Sequence, residues 1–345
     1  MLWDIFCKVI DNHGDLGVCW RLSVALAARG ETVRLWVDDP SALAWMAPQG
    51  APGVEVLRWA EGVVPPSPGE VLVEAFGCEP PDTFVAERAR RAGLLLPRSW
   101  VNLEYLTAES FAERSHGLPS PVMSGPGRGL MKHFFYPGFT PRTGGLLRER
   151  GLLERRAAFD EDAWLRSRGI ERGPDEILVS LFCYEPPALA ALMDQLARSA
   201  TPVRLLATPG RATAAVEALG HRALPPLARL PFLPQTEYDH LLWSCDFNFV
   251  RGEDSLVRAL WAGKPFAWQI YPQEDDAHHL KLSAFLEVTQ APPEAAAFHA
   301  GWNGLQAGLT DFHAMRAAAA PWAQRTRSAL AGQGDLASQL MAFVG

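Results

Sequence analysis

The sequence predicts an α/β fold made of two Rossmann-like halves. Three observations carry this. Short apolar runs alternate with helical stretches through the first part of the chain, a Pro-, Gly- and Ser-rich stretch interrupts them between about Gly117 and Gly145, and a second alternation follows. Strand–helix alternation implies a parallel sheet with helices on both faces.

The elements follow in order. "LWDIFCKVI" reads as a first strand ending at Val9 and Ile10, and "VCWRLSVALAARG" as a helix closed by Gly30. "TVRLWV" and "VLVEAF" are further strands, "DTFVAERARRA" is helical, and "SWVNLEYL" is a strand running into a loop. "GLPSPVMSGPGRG" and "FFYPGFTPRTGG" read as an irregular connection that ends a domain. After the charged stretch "LRERGLLERRAAFDED", the strands "EILVSLF", "PVRLLAT", "RLPFL", "FNFV" and "PFAWQI" alternate with helices. These are "ALAALMDQLARS", "AAVEAL", "EYDHLLWSC", "DSLVRALWAG" and "AHHLKLSAFL". The expected domains are 1–150 and 151–320, with a C-terminal helix, 321–345, packing across the domains. No internal repeat stands out.

Composition narrows the function. The chain has 345 residues, nearly half of them apolar, which is enough for two substantial cores. A net charge of −7 argues against a general nucleic-acid binder, which needs a basic footprint. The five cysteines are scattered without CxxC or Cys/His spacing, so no metal site is expected. Their odd number and apolar neighbours fit buried free thiols in a reducing cytoplasm. With no basic leader and no apolar run near the ~20 residues of a membrane span, neither a signal peptide nor a membrane anchor is expected.

Two stretches look like chemistry. "VIDNHGDLG" follows the first strand, at the end of a parallel sheet where ligands gather. Gly14 and Gly17 permit tight turning and close ligand approach, but the spacing is not GxGxxG. Asp11 and Asp15 repel each other on so short a turn unless a cation lies between them. The plainer reading makes Asp15 a helix cap and Asp11 a turn residue. The second stretch, "FNFVRGEDS", turns from a strand into a helix with Asp254 or Ser255 as cap, and a helix start favours phosphate. Arg251 can add charge there or pair with Glu253. Phe182 and Tyr184 end one nearby strand, and Phe232 and Gln235 lie near another. Aromatic rings with an amide suit a nucleobase, although either Phe can equally be core.

The blocks "WDIFCKVIDNHGDLGVCWRL", "RLWVDD", "NLEYLTAE", "FCYE" and "PFLPQTEYDHLLWSCDFNFVRGEDSLVRALWAGKPFAWQIYPQEDDAHHLKL" closely resemble the bacterial elongation factor P arginine rhamnosyltransferases, across nearly the whole chain. The resemblance implies a GT-B glycosyltransferase with two Rossmann-like domains facing across a cleft. It implies dTDP-β-L-rhamnose as donor, an arginine of elongation factor P as acceptor, inversion at the anomeric carbon, and no metal or other cofactor. By motif match, Asp11 and Asp15 correspond to catalytic aspartates. Glu253, Asp254 and Ser255 fall in the donor site, and Phe182, Tyr184, Phe232, Gln235 and Arg251 in the nucleotide-sugar pocket. One departure is His13, where the family usually has Phe.

The chemistry suits these residues. A guanidinium resists deprotonation: removing its proton fully at pH 7 costs on the order of 8 kcal/mol, about six pKa units at ~1.36 kcal/mol each. Carboxylates that orient the fork and accept the proton as the C–N bond forms avoid that full cost. Asp15 is assigned the proton and Asp11 the alignment, while Glu253 either clamps the acceptor or holds the rhamnose. Other readings of the alternation are a nicotinamide-dependent oxidoreductase, another nucleotide-sugar-dependent GT-B transferase, and a non-catalytic two-lobed nucleotide-binding protein. The oxidoreductase lacks its glycine fingerprint, and a binding protein has no need of paired acids.

Overall fold

The computed structural model describes residues 1–10, 13–60, 67–91, 93, 96–220, 223–272 and 277–345. Asp11 lies outside the described residues. The chain forms two compact units: Met1–Arg150 with Gly332–Gly345, and Gly151–Ala331.

The first unit runs β1 (Leu2–Cys7), α1 (Gly14–Ala27), β2 (Thr32–Val37), α2 (Leu43–Met46), β3 (Val54–Arg58), β4 (Val71–Ala75), α3 (Asp82–Arg90), β5 (Trp100–Leu103), α4 (Ser110–Ser115), β6 (Pro119–Pro121) and β7 (Met131–Phe135). Among the described residues its sheet has the order β3-β2-β1-β4-β5-β7-β6, all parallel except the β6–β7 pair. Strands β1 and β4 are buried almost throughout, which is why they read as continuous apolar runs. The exception within β1 is Asp4. It receives a bidentate pair from Arg34 at 2.7 and 2.7 Å, Trp36 Nε1 at 2.8 Å and the Gly69 amide at 2.7 Å. A buried carboxylate is tolerable when it is this fully hydrogen-bonded.

The second unit runs α5 (Leu152–Ala157), α6 (Glu161–Ser167), β8 (Ile177–Leu181), α7 (Leu189–Ala197), β9 (Val203–Ala207), α8 (Arg211–Glu217), β10 (Leu227–Arg229), α9 (Gln235–Ser244), β11 (Phe247–Arg251), α10 (Gly252–Ala262), β12 (Phe266–Gln269), α11 (Ala277–Val288), α12 (Pro293–Trp302) and α13 (Phe312–Ala331). Its sheet is parallel, in the order β10-β9-β8-β11-β12. Helix α12 covers the outer edge of β12 with side chains. His299 Nε2 accepts from the Trp268 amide at 3.0 Å, and Asn303 Oδ1 accepts from Ile270 at 3.0 Å. These bonds satisfy an edge that would otherwise be open to pairing.

Several expectations change. β1 ends at Cys7, short of Val9 and Ile10, because the Val9 amide turns away to Asp38 Oδ1 at 2.9 Å. The stretch expected to be irregular contains the β6–β7 hairpin, whose prolines sit on an edge strand where a missing N–H is harmless. β3 was not anticipated, being an edge strand of mostly partial or full exposure. β10 stops at Arg229, ahead of Phe232. Residues 320 and 321 both lie within α13, which belongs to the second unit, and the chain returns to the first at Gly332. There α14 (Leu336–Val344) places Leu336, Leu340 and Val344 in the core formed by α1 and the sheet.

Candidate functional site

In each unit, candidate residues gather where parallel strands end and the chain turns toward a helix. In the first unit, α1 begins after His13, and no side-chain hydrogen bond caps it among the described residues. Asp15 is therefore not the cap. It lies in the first turn, half-buried, where the helix dipole favours a carboxylate. Gly14 and Gly17 are not turn glycines: both lie within α1, and a Cβ on Gly14 would meet no atom within 4 Å. Asp15 Oδ2 accepts from Tyr105 Oη at 3.2 Å. The Tyr105 ring stacks on Phe76, centroids 4.7 Å apart and planes 22° apart. Phe76 holds a left-handed φ of 57° just beyond β4, and its amide donates to Leu103 O at 2.8 Å. The ends of β4 and β5 thus aim an aromatic pair at the start of α1. Beside Tyr105, burial pushes the Glu104 carboxyl above its ordinary pKa, against a hydrogen bond from Asn102 Nδ2 at 2.8 Å.

In the second unit, the site forms where β8 and β11 end. Arg251, the last residue of β11, precedes α10. Its guanidinium carbon lies 4.4 Å from the Phe182 ring centre and 4.6 Å from that of Tyr184, and Nη1 donates to Cys183 O at 3.1 Å. Among the described residues no carboxylate pairs with it; the expected alternative partner, Glu253, pairs with Lys281 instead. Burial pulls Arg251 below its ordinary pKa, opposed by Tyr184, whose phenol burial pushes up to about 12.

Helix α10 starts earlier than expected, so Asp254 and Ser255 are first-turn residues rather than caps. Ser255 Oγ accepts from the Arg251 amide at 3.0 Å and donates to Arg251 O, locking the strand-to-helix turn. Gly252 takes a left-handed φ of 62°, and a Cβ there would come within 3.3 Å of Tyr184 Oη. Trp268 Nε1 fixes the same peptide through Gly252 O at 2.7 Å. Tyr184 is further held by its amide, which donates to Gln269 Oε1 at 2.8 Å, and by Arg211 against its ring at 5.1 Å. Phe182 meets Tyr238 edge-on at 5.4 Å, one turn along α9 from Gln235. Phe232 is 54% exposed, so it is not core.

Phe182, Tyr184, Arg251, Glu253, Asp254 and Ser255 therefore surround one strand-to-helix turn. Gln235 opens α9, the helix whose Tyr238 meets Phe182, whereas Phe232 stands on the preceding loop. Tyr105, Phe76, Trp268 and Lys281 were not singled out from sequence. Tyr105 and Lys281 do lie in the blocks "NLEYLTAE" and "AHHLKL". Among the described residues, no group of three or more His, Cys, Asp or Glu is placed to hold a metal, and no helix is long and apolar enough to cross a membrane.

Residues 3–345 match the family described as Elongation-Factor P (EF-P) rhamnosyltransferase EarP. A protein-arginine rhamnosyltransferase of Pseudomonas aeruginosa is 43% identical over 383 residues, covering 99% of this chain and 98% of the relative. A solved structure described as "Structural basis for EarP-mediated arginine glycosylation of translation elongation factor EF-P" aligns over 99% of this chain and 98% of that one. Its TM-score is 0.65 and its identity 32%. MurG of Acinetobacter baumannii, at 13% identity and a TM-score of 0.51 over 99% of both chains, shares the fold alone. The chain belongs to the EF-P rhamnosyltransferase EarP family and is a rhamnosyltransferase enzyme with the GT-B fold.

Proposed function

We propose that this chain transfers L-rhamnose from dTDP-β-L-rhamnose to an arginine side chain of elongation factor P, with inversion at the anomeric carbon and without a metal. The observation that carries the donor half is Arg251. A partly buried guanidinium between two rings, with no carboxylate partner among the described residues, is matched by an anion. The first turn of α10, with its outward amides, suits the same diphosphate. Phe182, Tyr184, Phe232 and Gln235 receive the thymidine by stacking and hydrogen bonding, and Ser255 and Asp254 hold the turn that carries the phosphates.

The acceptor half rests on acids. The arginine fork is oriented by Asp11 and by Asp15, whose position Tyr105 restrains. As the guanidinium nitrogen bonds to the anomeric carbon, the bond to the dTDP oxygen breaks and the nitrogen's proton passes to Asp15. Concerted transfer of this kind avoids the free neutral arginine. Glu253 holds the rhamnosyl group, and Arg251 with the helix start stabilises the departing diphosphate. The five free thiols, all buried, support action in a reducing compartment such as the cytoplasm.

The test is incubation with dTDP-rhamnose and elongation factor P, followed by intact mass. The expected result is a gain of one rhamnosyl group, retained in the presence of EDTA and lost when the acceptor arginine is replaced by lysine. No gain, or a gain on that lysine variant, overturns the reading.

A further inference from the structure

Glu253 is held from a distance in sequence. Its Oε1 is ion-paired with Lys281 Nζ, 28 residues further along the chain. Both side chains are only 20% exposed, so this is not a loose surface pair. A rigid frame sets their separation. Trp268 donates to Gly252 O at 2.7 Å, one residue before Glu253, while its ring packs edge-on against Phe285 at 5.2 Å. Phe285 is buried and stands one turn after Lys281 on α11, so the two share a helix face. One indole therefore ties the start of α10 to the face of α11 that carries Lys281 one turn before Phe285.

The charges explain why a lysine belongs there. Glu253 and Asp254 are adjacent in the first turn of α10, where two acids disfavour an anionic donor. A lysine is a compact charge on a flexible stem, able to hold one carboxylate oxygen while leaving the group's plane adjustable. We infer that Lys281 is a positioning residue for transfer, fixing the Glu253 carboxylate at the place where the rhamnosyl group is held. This rests on the role given to Glu253 above.

The experiment compares wild type, K281M, K281Q, K281R, E253Q and E253Q/K281M in transfer kinetics, with dTDP affinity measured by calorimetry. K281M and K281Q should lower kcat about tenfold or more while dTDP affinity changes less than about threefold, since dTDP lacks the sugar. K281R should restore most of the rate. The double variant should be no slower than E253Q alone, because the two residues act as one unit. Near-normal kcat in K281M and K281Q overturns the assignment. So does a loss of dTDP affinity in step with kcat, or independent multiplication of the two effects. If wild type transfers normally and K281M is unaffected, only this inference falls; if wild type transfers nothing, the rhamnosyl reading falls and this one with it.

Discussion

Asp15 and Arg251 bear opposite charges, and each is held by aromatic neighbours. Tyr105 restrains Asp15 through a hydrogen bond to a charged acceptor, the kind worth ~1.5–3 kcal/mol. Replacing Asp15 by Asn should abolish transfer while leaving dTDP affinity near wild type, because it removes the base and not the donor contacts. Tyr105→Phe keeps the stack on Phe76 but loses the hydroxyl, and should lower kcat about tenfold. Steady-state transfer assays with calorimetry on each variant separate these effects. Arg251→Lys is the complementary case. A lysine keeps the charge but cannot lie flat between Phe182 and Tyr184, so dTDP affinity should fall about tenfold despite conserved charge. Of these residues, Asp15 and Arg251 were legible in sequence because charged groups stood at strand-to-helix turns. Tyr105 was not, because its partner is 90 residues away and only the sheet brings them together.

At the scale of elements, the second unit depends on a histidine that must remain neutral. His299 is fully buried between α12 and β12, with Nδ1 on Ala295 O at 2.8 Å and Nε2 on the Trp268 amide. Burial lowers its pKa to about 4 from an ordinary value near 6.5. The depressed value sets the sign: its contribution is fully present above pH 6.5 and is lost as pH falls toward 4. The loss amounts to roughly 3 kcal/mol at ~1.36 kcal/mol per unit. Denaturant unfolding across that range should show the slope, and His299→Gln, less stable at pH 7, should show a shallower one. Because Trp268 also holds Gly252, donor affinity should hold until pH nears 4, where His299 takes up its proton in the folded protein and that edge loosens. Helices α1, α3 and α7 to α11, with the strands they alternate with, were readable from local composition and apolar runs, whereas α2, α4, α5, α6 and α12 were not. The edge strands β3 and β6 were not, since exposure on one side removes the continuous apolar signal.

At the scale of the whole molecule, the chain's last residues belong to its first unit. Leu336, Leu340 and Val344 are buried there, and Asp335 pairs with Arg29 at 2.8 Å. Burying three such side chains contributes roughly 5 to 9 kcal/mol, comparable to the whole stability of a domain. A chain truncated after Ala331 should therefore melt earlier in calorimetry through its first unit and lose transfer, while dTDP binding by the second unit persists. An unchanged melting profile contradicts this account of α14.

By itself, the amino-acid sequence determined the α/β class, the two strand series, and the turns carrying the charged residues. These are local matters of periodicity, turn chemistry and charge. Tertiary structure alone decided where α14 packs, which cation holds Glu253, and which tyrosine restrains Asp15. Each of those joins residues far apart along the chain, and their encounter depends on how sheets and helices pack.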